Sequence, residues 1–229
     1  MAAGEGMRLR PLTETWPKPV LPIDGRPVIA TLLRELRSAG VDRVTVVSGH
    51  LAEVLEQLVG DGSGFGLQVV YVRQPRADGS ADAVRRALGG GAAMPALVVA
   101  ADTVYRPGDI GRFEAGFASS GADGAIAVRT DPPAGPERPP VRIERDGTVS
   151  LVVDDDPGNA LGSAALWGLG PAVARELERV PGPPYELAAA YQRAIDAGGH
   201  VIGLEIGPTR DLTRPLDLIR ENFSYLRET

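Results

Sequence analysis

The chain has 229 residues, 43% of them apolar, which is enough to bury one sizeable core. The absence of cysteine excludes a disulfide framework and thiolate metal sites, and the net charge of −6 argues against a general nucleic-acid binder. No apolar run approaches the roughly 18 residues that a membrane span needs, and no leader segment stands ahead of the first motif, so we expect a cytoplasmic protein without a membrane partner.

The first segment in chain order is a glycine-rich loop followed by a series of cations, "MAAGEGMRLRPLTETWPKPV". The backbone N–H groups around Gly4 and Gly6 have no side chains in their way, so they can hold a large anion. Lys18 is the only lysine of the chain, and Pro17 and Pro19 stiffen the backbone on either side of it. A solvated basic loop is the alternative interpretation. The spacing of the glycines fits neither the P-loop nor the dinucleotide-binding fingerprint.

Short apolar runs then alternate with amphipathic helical patterns as far as residue 129. Such alternation favours an α/β fold with a mostly parallel sheet flanked by helices. The runs that predict strands are 42–49, 67–72, 96–102 and 124–129, and the patterns that predict helices are 27–40, 51–60, 80–90, with Ser80 as N-cap, and 109–121.

The pattern changes in the second half of the chain. Asp146-Gly147 stands between two alternating runs and predicts a hairpin within residues 141–153. A strand at 162–169, helices at 171–180 and 185–198, a strand at 200–207 and a helix at 214–226 follow. The sequence therefore predicts one domain, residues 1–229, with a small inserted β-region.

The stretch "AAGEGMRLRPLTETWPKPVLPIDGRPVI" resembles the signature of the sugar-1-phosphate nucleotidyltransferases. The resemblance implies a Rossmann-like nucleotidyltransferase fold. It also implies transfer of a nucleotidyl group from an NTP to a sugar 1-phosphate, which gives an NDP-sugar and pyrophosphate. In that family the glycine loop, here Ala3, Gly4 and Gly6, holds the triphosphate, and the arginine and lysine that match Arg8 and Lys18 carry catalysis.

The chemistry of this reaction calls for a divalent cation opposite the loop. Mg²⁺ prefers one or two carboxylates together with phosphate oxygens and water. Asp102 ends a predicted strand at the carboxyl edge of the sheet, although it could instead cap a turn. "TRDLTRPLDLIREN" resembles the family's closing stretch and nominates Asp211 as the second ligand, with Glu205 as the fallback. Asp217 in the same stretch is expected to be only a first-turn acid.

Base recognition is expected from "RQPRADGSADAV", which resembles another family segment. The amide of Gln74 can pair with a pyrimidine edge, and Gly79 lets the backbone approach the base, with Ser80 beside it. A glutamine favours UTP or dTTP over GTP. The alternative for Gln74 is a solvent-facing strand end.

The sequence departs from the family at two places. The family commonly has Glu-Lys-Pro where this chain reads "VVDDDPGN", so Asp155 is the candidate sugar-binding residue, or else the segment is an acidic loop in solvent. In the family a buried strand precedes the glycine loop, and here Met1 takes its last position. We therefore expect a first strand before Met1; if Met1 is the true start, its ammonium adds a cation beside the loop. Relatives with a C-terminal β-helix domain are longer, and none is expected here.

Three alternatives remain open at this stage. One is a catalytically impaired protein that binds a nucleotide or a sugar nucleotide. The others are a guanylyltransferase and a choline-phosphate cytidylyltransferase on the same fold, the latter using Trp167 and Tyr185 around the ammonium. A homo-oligomer is compatible with every one of them.

Overall fold

The computed structural model describes residues 1–135, 138 and 140–228. The α-helices that it contains are α1 (Val28–Ser38), α2 (Ala52–Val59), α3 (Ser80–Gly89), α4 (Asp109–Ser120), α5 (Pro171–Glu176), α6 (Leu187–Asp196) and α7 (Pro215–Glu228). The strands are β1 (Pro22–Ile23), β2 (Arg26–Pro27), β3 (Arg43–Ser48), β4 (Gln68–Arg73), β5 (Ala96–Val99), β6 (Thr103–Val104), β7 (Gly124–Arg129), β8 (Arg142–Ile143), β9 (Val149–Leu151), β10 (Gly162–Leu169), β11 (Val201–Glu205) and β12 (Arg210–Asp211).

The longer strands form two hydrogen-bonded groups. β3 pairs with β4 in parallel, and β11, β7, β10 and β5 form a four-stranded sheet in that order. β11 and β7 are parallel, whereas β10 runs antiparallel to both of its neighbours. The predicted α/β architecture with a mostly parallel sheet is confirmed, and β10 is the inverted member.

Helices cover both faces of this sheet, which explains why its strands are apolar throughout. All six residues of β7 are buried, and its four apolar side chains, at 125–128, alternate between two clusters. Ala125 and Ala127 pack with residues of α1 and α4 such as Leu33 and Phe113. Ile126 packs on the opposite face, with residues of α3, α5 and α6. A strand buried on both faces reads as a continuous apolar run, as seen in the sequence.

Met1 and Ala2 lie between the two groups of strands. Ala2 N donates to Val47 O at 2.8 Å, and Ala101 N donates to Met1 O at 2.9 Å. These two residues thus link β3 to the segment after β5. They occupy the position of a strand between the two groups, of which only Met1 and Ala2 are part of this chain. The strand expected ahead of Met1 stays a prediction.

An apolar cavity of about 350 Å³ extends from Met1 along the facing edges of β3 and β5. Val44 and Val46 of β3 line one side, and Leu97 and Val99 of β5 line the other. No β-ladder joins β3 to β5 within the part of the chain that the structure describes. The cavity therefore lies where the facing edges of β3 and β5 have no ladder partner among the described residues.

Short hairpins complete the fold. The predicted turn at Asp146-Gly147 is confirmed, since β8 and β9 pair around it. A hairpin that the sequence analysis missed joins β1 to β2 through Asp24 and Gly25, both with positive φ. None of the helices in the described ranges is both long and apolar enough to cross a membrane.

Candidate active site

A cavity of about 420 Å³ opens between the N-terminal loop, the loop before α3 and the segment after β5. Nine of the residues predicted from the sequence line it, together with Leu212 and Thr213 from the loop after β12. Those nine are Ala3, Gly4, Gly6, Arg8, Lys18, Gln74, Gly79, Ser80 and Asp102. The structure thus gathers in one place residues that are up to 99 positions apart in the sequence.

Gly6 shapes the loop at the mouth of the cavity. Its φ of 62° lies in the left-handed region, and a Cβ at this position would come within 2.8 Å of Thr13 Cγ2. The Thr13 hydroxyl donates to Gly6 O at 2.9 Å, and the buried side chain of Leu9 anchors the turn that follows. The loop therefore needs glycine for both its backbone conformation and its packing.

Lys18 and Asp102 form an ion pair on the cavity wall. Lys18 Nζ lies 2.5 Å from Asp102 Oδ2, and the side chains are only 15% and 31% exposed. Pro17 is extended and leads into a short 3-10 helix at Lys18–Val20, which fixes the start of the lysine side chain. Burial alone would raise the pKa of Asp102, but the neighbouring Lys18 ammonium outweighs it and keeps the pKa below its usual value.

Gln74 occupies the opposite wall and is only 4% exposed, so it is not the solvent-facing strand end of the alternative interpretation. Its Nε2 donates to Gly79 O at 3.0 Å and to Asp82 Oδ2 at 2.8 Å, which uses both amide hydrogens. The carbonyl oxygen of Gln74 is therefore the end that a ligand can meet.

Asp82, which accepts a hydrogen bond from Gln74 but does not itself line the cavity, is a residue that the sequence analysis passed over. It lies on α3 and accepts hydrogen bonds from Gln74, Arg85 and Arg86. Burial would raise the pKa of Asp82, but the bonds from Arg86 and Gln74 outweigh it and leave the pKa lowered. The aspartate in the quoted "SADA" was the available signal, because a first-turn acid of α3 points back toward the loop before the helix.

Gly79 and Ser80 join this wall to the second half of the chain. A Cβ on Gly79, whose φ is 111°, would lie 2.3 Å from Tyr185 O. The Ser80 hydroxyl donates to Glu186 Oε2 and accepts from Leu187 N, each at 2.7 Å. The prediction that Ser80 caps α3 is wrong: Gly79 holds the N-cap position, and Ser80 binds the first residue of α6 instead.

The family model of nucleotidyl transferases matches residues 1–138, which is more than half of the chain. The chain belongs to the nucleotidyl transferase family. The matched segment contains all nine of the predicted residues that line the cavity, and it ends before Asp155 and Asp211.

Two curated relatives are similar to this chain over most of its length. A low-salt glycan biosynthesis nucleotidyltransferase, Agl11, from Haloferax volcanii is 26% identical over 240 residues, covering 100% of this chain and 65% of that protein. A CMP-5′-(3-aminopropyl)phosphonate synthase from Streptomyces rubellomurinus is 32% identical over 221 residues, covering 87% of this chain and 33% of that protein. The chain therefore spans less than two thirds of the length of either relative.

A solved structure shows the same fold. The UTP-bound UGPase from Acinetobacter baumannii matches with a TM-score of 0.80 over 100% of this chain and 92% of that one, at 21% identity. The likeness confirms the Rossmann-like nucleotidyltransferase fold that the resemblance implied.

The sequence analysis expected an additional cation beside the loop if Met1 is the true start, and the surroundings of an amine at Met1 do not favour one. The Met1 amine donates to Val99 O at 2.7 Å. Burial lowers its pKa to about 6, although the Asp102 carboxylate acts in the opposite direction. The amine is therefore mostly neutral at pH 7, and the positive charge at the cavity comes from Lys18 and Arg8.

Neither Asp211, the expected second metal ligand, nor its fallback Glu205 lines the cavity. Asp211 stands opposite Thr103 in the β6–β12 ladder, but its carboxylate forms an ion pair with Arg138, and it does not line the cavity. Glu205 is exposed at the end of β11. Among the described residues no cluster of three or more His, Cys, Asp or Glu could hold a metal ion. Asp102 is thus the one predicted carboxylate at the cavity.

The candidate acceptor residues also lie away from the cavity. Asp155 is exposed, whereas its neighbour Asp154 is buried and accepts hydrogen bonds from Arg142 and Asn159. Trp167 packs in the core against Tyr191, with ring centroids 4.8 Å apart. The Arg85 guanidinium stacks on the ring of Tyr185. The aromatic pair proposed for a choline ammonium is therefore engaged elsewhere.

Proposed function

We propose that the chain transfers a nucleotidyl group from an NTP to a phosphorylated small molecule such as a sugar 1-phosphate. UTP and dTTP are the nucleotides that the proposal favours. The products are an NDP-sugar and pyrophosphate. One observation carries the proposal: Lys18 and Asp102 meet as an ion pair on the wall of a cavity whose mouth is the glycine loop. That arrangement supplies a cation, a carboxylate and backbone N–H donors around one volume.

The chemistry depends on charge rather than on a base. A phosphate monoester has its second pKa near ~6, so the acceptor is mostly a dianion at pH 7 and can attack without losing a proton. An acceptor oxygen bonds to the α-phosphorus, the bond from that phosphorus to the bridging oxygen breaks, and pyrophosphate leaves with the electron pair. Lys18 and Arg8 line the cavity where they can stabilise the charge on the transferred phosphoryl group.

Mg²⁺ is part of the proposal. Asp102 fits it as a carboxylate ligand at the cavity, with triphosphate oxygens and water completing the shell. When bound, the ion would neutralise charge on the phosphates. Asp211 does not line the cavity, so Asp102 is the residue that we propose as the metal ligand.

Gln74 is proposed to read the base. Asp82 and Gly79 hold its amide nitrogen, so the carbonyl oxygen can accept the N3–H of uracil or thymine. Gly79 carries no side chain that would stand between the backbone and the base. Ser80 has a smaller part in this proposal, because its hydroxyl is already engaged by Glu186 and Leu187.

The test measures pyrophosphate release from a matrix of UTP, dTTP, CTP and GTP against phosphorylated acceptors, with Mg²⁺. We expect turnover with a pyrimidine nucleotide. Lys18→Met should lower it by about 100-fold or more, because it removes a preorganised charge from the transition state. Arg10→Met is the matched control: Arg10 is a cation of the same loop that pairs with Glu5 and does not line the cavity. Its turnover should stay within about twofold of wild type.

Three results would contradict the proposal. UTP binding without pyrophosphate release from any pair would favour the catalytically impaired nucleotide-binding protein. Full turnover by Lys18→Met would remove the role given to the ion pair. Equal losses in Lys18→Met and Arg10→Met would show that loop charge in general, rather than the cavity cation, is responsible.

Cytidylyl transfer to an aminoalkylphosphonate is the second candidate. The match to a CMP-5′-(3-aminopropyl)phosphonate synthase over 87% of the chain favours it. The Gln74 carbonyl would accept from the amino group of cytosine as well as from uracil N3–H, so this residue does not separate the two bases. The CTP row of the matrix, with 2-aminoethylphosphonate as acceptor, decides between them.

A further inference from the structure

Arg129 is a buried guanidinium that the proposed function has not used. It is the last residue of β7 and is only 1% exposed. None of its three side-chain nitrogens has a hydrogen-bond partner among the described residues. A guanidinium carries five N–H donors, and burying them unpaired is costly unless an anion completes the site.

The electrostatic surroundings of Arg129 add to the cost of burying its guanidinium without hydrogen-bond partners. Burial, followed by repulsion from Arg138, lowers the pKa of Arg129 to about 10, while Asp131 and Tyr105 act in the opposite direction. Arg129 therefore stays charged at neutral pH. Arg138 is itself paired with Asp211, so one carboxylate already serves the second guanidinium. Asp131 and Asp211 match the two guanidiniums in charge, but among the described residues no carboxylate accepts a hydrogen bond from Arg129.

A second polar group close to this cluster is also unsatisfied. Thr209 Oγ1 is buried without a hydrogen-bond partner in the described part of the chain. The backbone of Thr209 donates to Asp131 O at 3.2 Å, two residues beyond Arg129. A hydroxyl and a guanidinium without partners are the groups that a phosphate or phosphonate would satisfy.

The cluster is connected to the segment that carries Asp102, although none of its residues lines the cavity. The Tyr105 hydroxyl is within electrostatic range of both Asp102 and Arg129. Asp211, the partner of Arg138, stands opposite Thr103, the residue next to Asp102. The side chain of Arg138 is 31% exposed, so the pair presents one guanidinium to solvent and one behind it.

The acceptor in the proposed reaction must be held by a cation, and the acceptor segment provides none. Residues 154–156 are three consecutive aspartates, and the only lysine of the chain is paired with Asp102. Arginine suits the role, because its planar fork can bind two oxygens of one phospho group.

We propose that Arg129, together with Arg138, binds the phospho group of the acceptor, a phosphate monoester or phosphonate dianion. This inference rests on the proposed function, since it assigns one subsite of the same reaction. It makes Arg129 a specificity-determining residue: the subsite selects acceptors that end in a doubly charged phospho group. It also implies that the ligand-free protein is less stable than it would be with an apolar side chain at this position.

The binding test uses inorganic phosphate as the probe and protein saturated with α,β-methylene-UTP, which cannot be cleaved. Arg129→Met should weaken phosphate binding by about 10- to 100-fold in calorimetry, because it removes charge-assisted hydrogen bonds. Affinity for the analogue should not change, and the Tm of the ligand-free variant should stay the same or rise. Arg129→Lys keeps the charge but loses the planar guanidinium, so its phosphate affinity should lie between those of wild type and Arg129→Met. Arg145→Met, at an exposed arginine on the β8–β9 turn, is the matched control and should bind phosphate like wild type.

A turnover arm separates the two sources of the dianion. Arg129→Met should raise KM for whichever of glucose 1-phosphate and 2-aminoethylphosphonate wild type uses, with a smaller effect on kcat. Unchanged phosphate affinity in Arg129→Met, or a fall in its Tm with unchanged KM, would overturn the inference, because either result assigns Arg129 to structure alone.

Failure of the proposed function can be told apart from failure of this inference. If the analogue does not bind wild type, the nucleotide site is wrong. Phosphate affinity is then compared between Lys18→Met and the double variant Lys18→Met/Arg129→Met. A further loss in the double variant supports the Arg129 site, and equal affinities overturn it.

Discussion

Only some of the individual residues singled out in and near the cavity can be nominated from the sequence. Lys18 stands out in the sequence because it is the only lysine and lies between prolines. Its partner Asp102 could be nominated from its place at a strand end. Arg129 could not, since an arginine at the end of an apolar strand is usually exposed and only the packing of the chain buries it. Burial is a tertiary property, so a sequence pattern seldom reveals it for a single charge.

Gly79→Ala gives a prediction at this scale. The added Cβ would overlap the backbone of Tyr185 at a φ of 111°, so we expect a loss of about 2–4 kcal/mol in the free energy of unfolding and weaker UTP binding. Gly89→Ala is the control, because Gly89 lies within α3 with open space around it. That change should be neutral or stabilising by up to about 1 kcal/mol in urea unfolding. Similar losses in both variants would show that contact with Tyr185 is not what requires Gly79.

At the scale of elements, existence and type were predictable, but direction and ends were less so. The apolar run at 124–129 coincides with β7, and the run at 162–169 coincides with β10. Nothing in the apolar run of β10 indicates that it pairs antiparallel to both neighbours, because the sequence of a strand buried on both faces has the same pattern in either direction. The start of α3 was misjudged for a related reason. Ser80 has the side chain of a cap, but contact with α6 claims its hydroxyl.

The apolar cavity between β3 and β5 yields a prediction for this scale. Extending the N-terminus by five alternating valines and isoleucines should place a strand between the two edges. Each fully buried side chain contributes about 1.5–3 kcal/mol against about 1–2 kcal/mol of backbone entropy per residue. We expect a net gain of about 2 kcal/mol or more and a Tm higher by about 4–8 °C.

A Gly-Ser extension of the same length is the control for that experiment. It offers the same backbone without apolar side chains and should leave the Tm within about 1 °C of wild type. No difference between the two extensions in a thermal melt would mean that the facing edges do not accept a strand.

At the scale of the whole molecule, depressed carboxylate pKa values predict how stability responds to acid. The bond from Asn159, which outweighs the effect of burial, and the Arg142 guanidinium lower the pKa of Asp154. Asp82 and Asp102 are lowered as well. A group with a lower pKa in the folded state adds stability above its unfolded value, here 3.8, and that stability is lost as pH falls through the folded value.

We therefore expect the free energy of unfolding to be flat above about pH 5 and to decline below about pH 4. Asp154→Asn should make the decline shallower, because one of the depressed groups no longer titrates. Asp155→Asn, at an exposed neighbour, should leave the slope unchanged. Urea unfolding from pH 2.5 to 7 measures both. A steeper decline in Asp154→Asn than in wild type would contradict the assignment.

The site depends on the whole chain, although the family match ends at residue 138. Tyr185 accepts a hydrogen bond from Ala81 N through its carbonyl and donates one from its own N–H to Asp78 O. Ser80 is bonded to Glu186 across 106 residues. The loop that carries Gly79 is thus held in place by residues from the second half of the chain. The matched segment contains most of the lining residues but not the support that positions them.

The identity of its lone lysine has a practical consequence for handling this protein. Succinimidyl esters, aldehydes and other amine-directed reagents normally spread over many surface lysines, but here the single side-chain ammonium available to them is 15% exposed and lies in the cavity. Fluorophore labelling or immobilisation through side-chain amines would therefore modify the cavity that we propose as the nucleotide site. A nucleotide bound in that cavity should protect the Lys18 amine from acylation, so the extent of labelling would report on nucleotide binding.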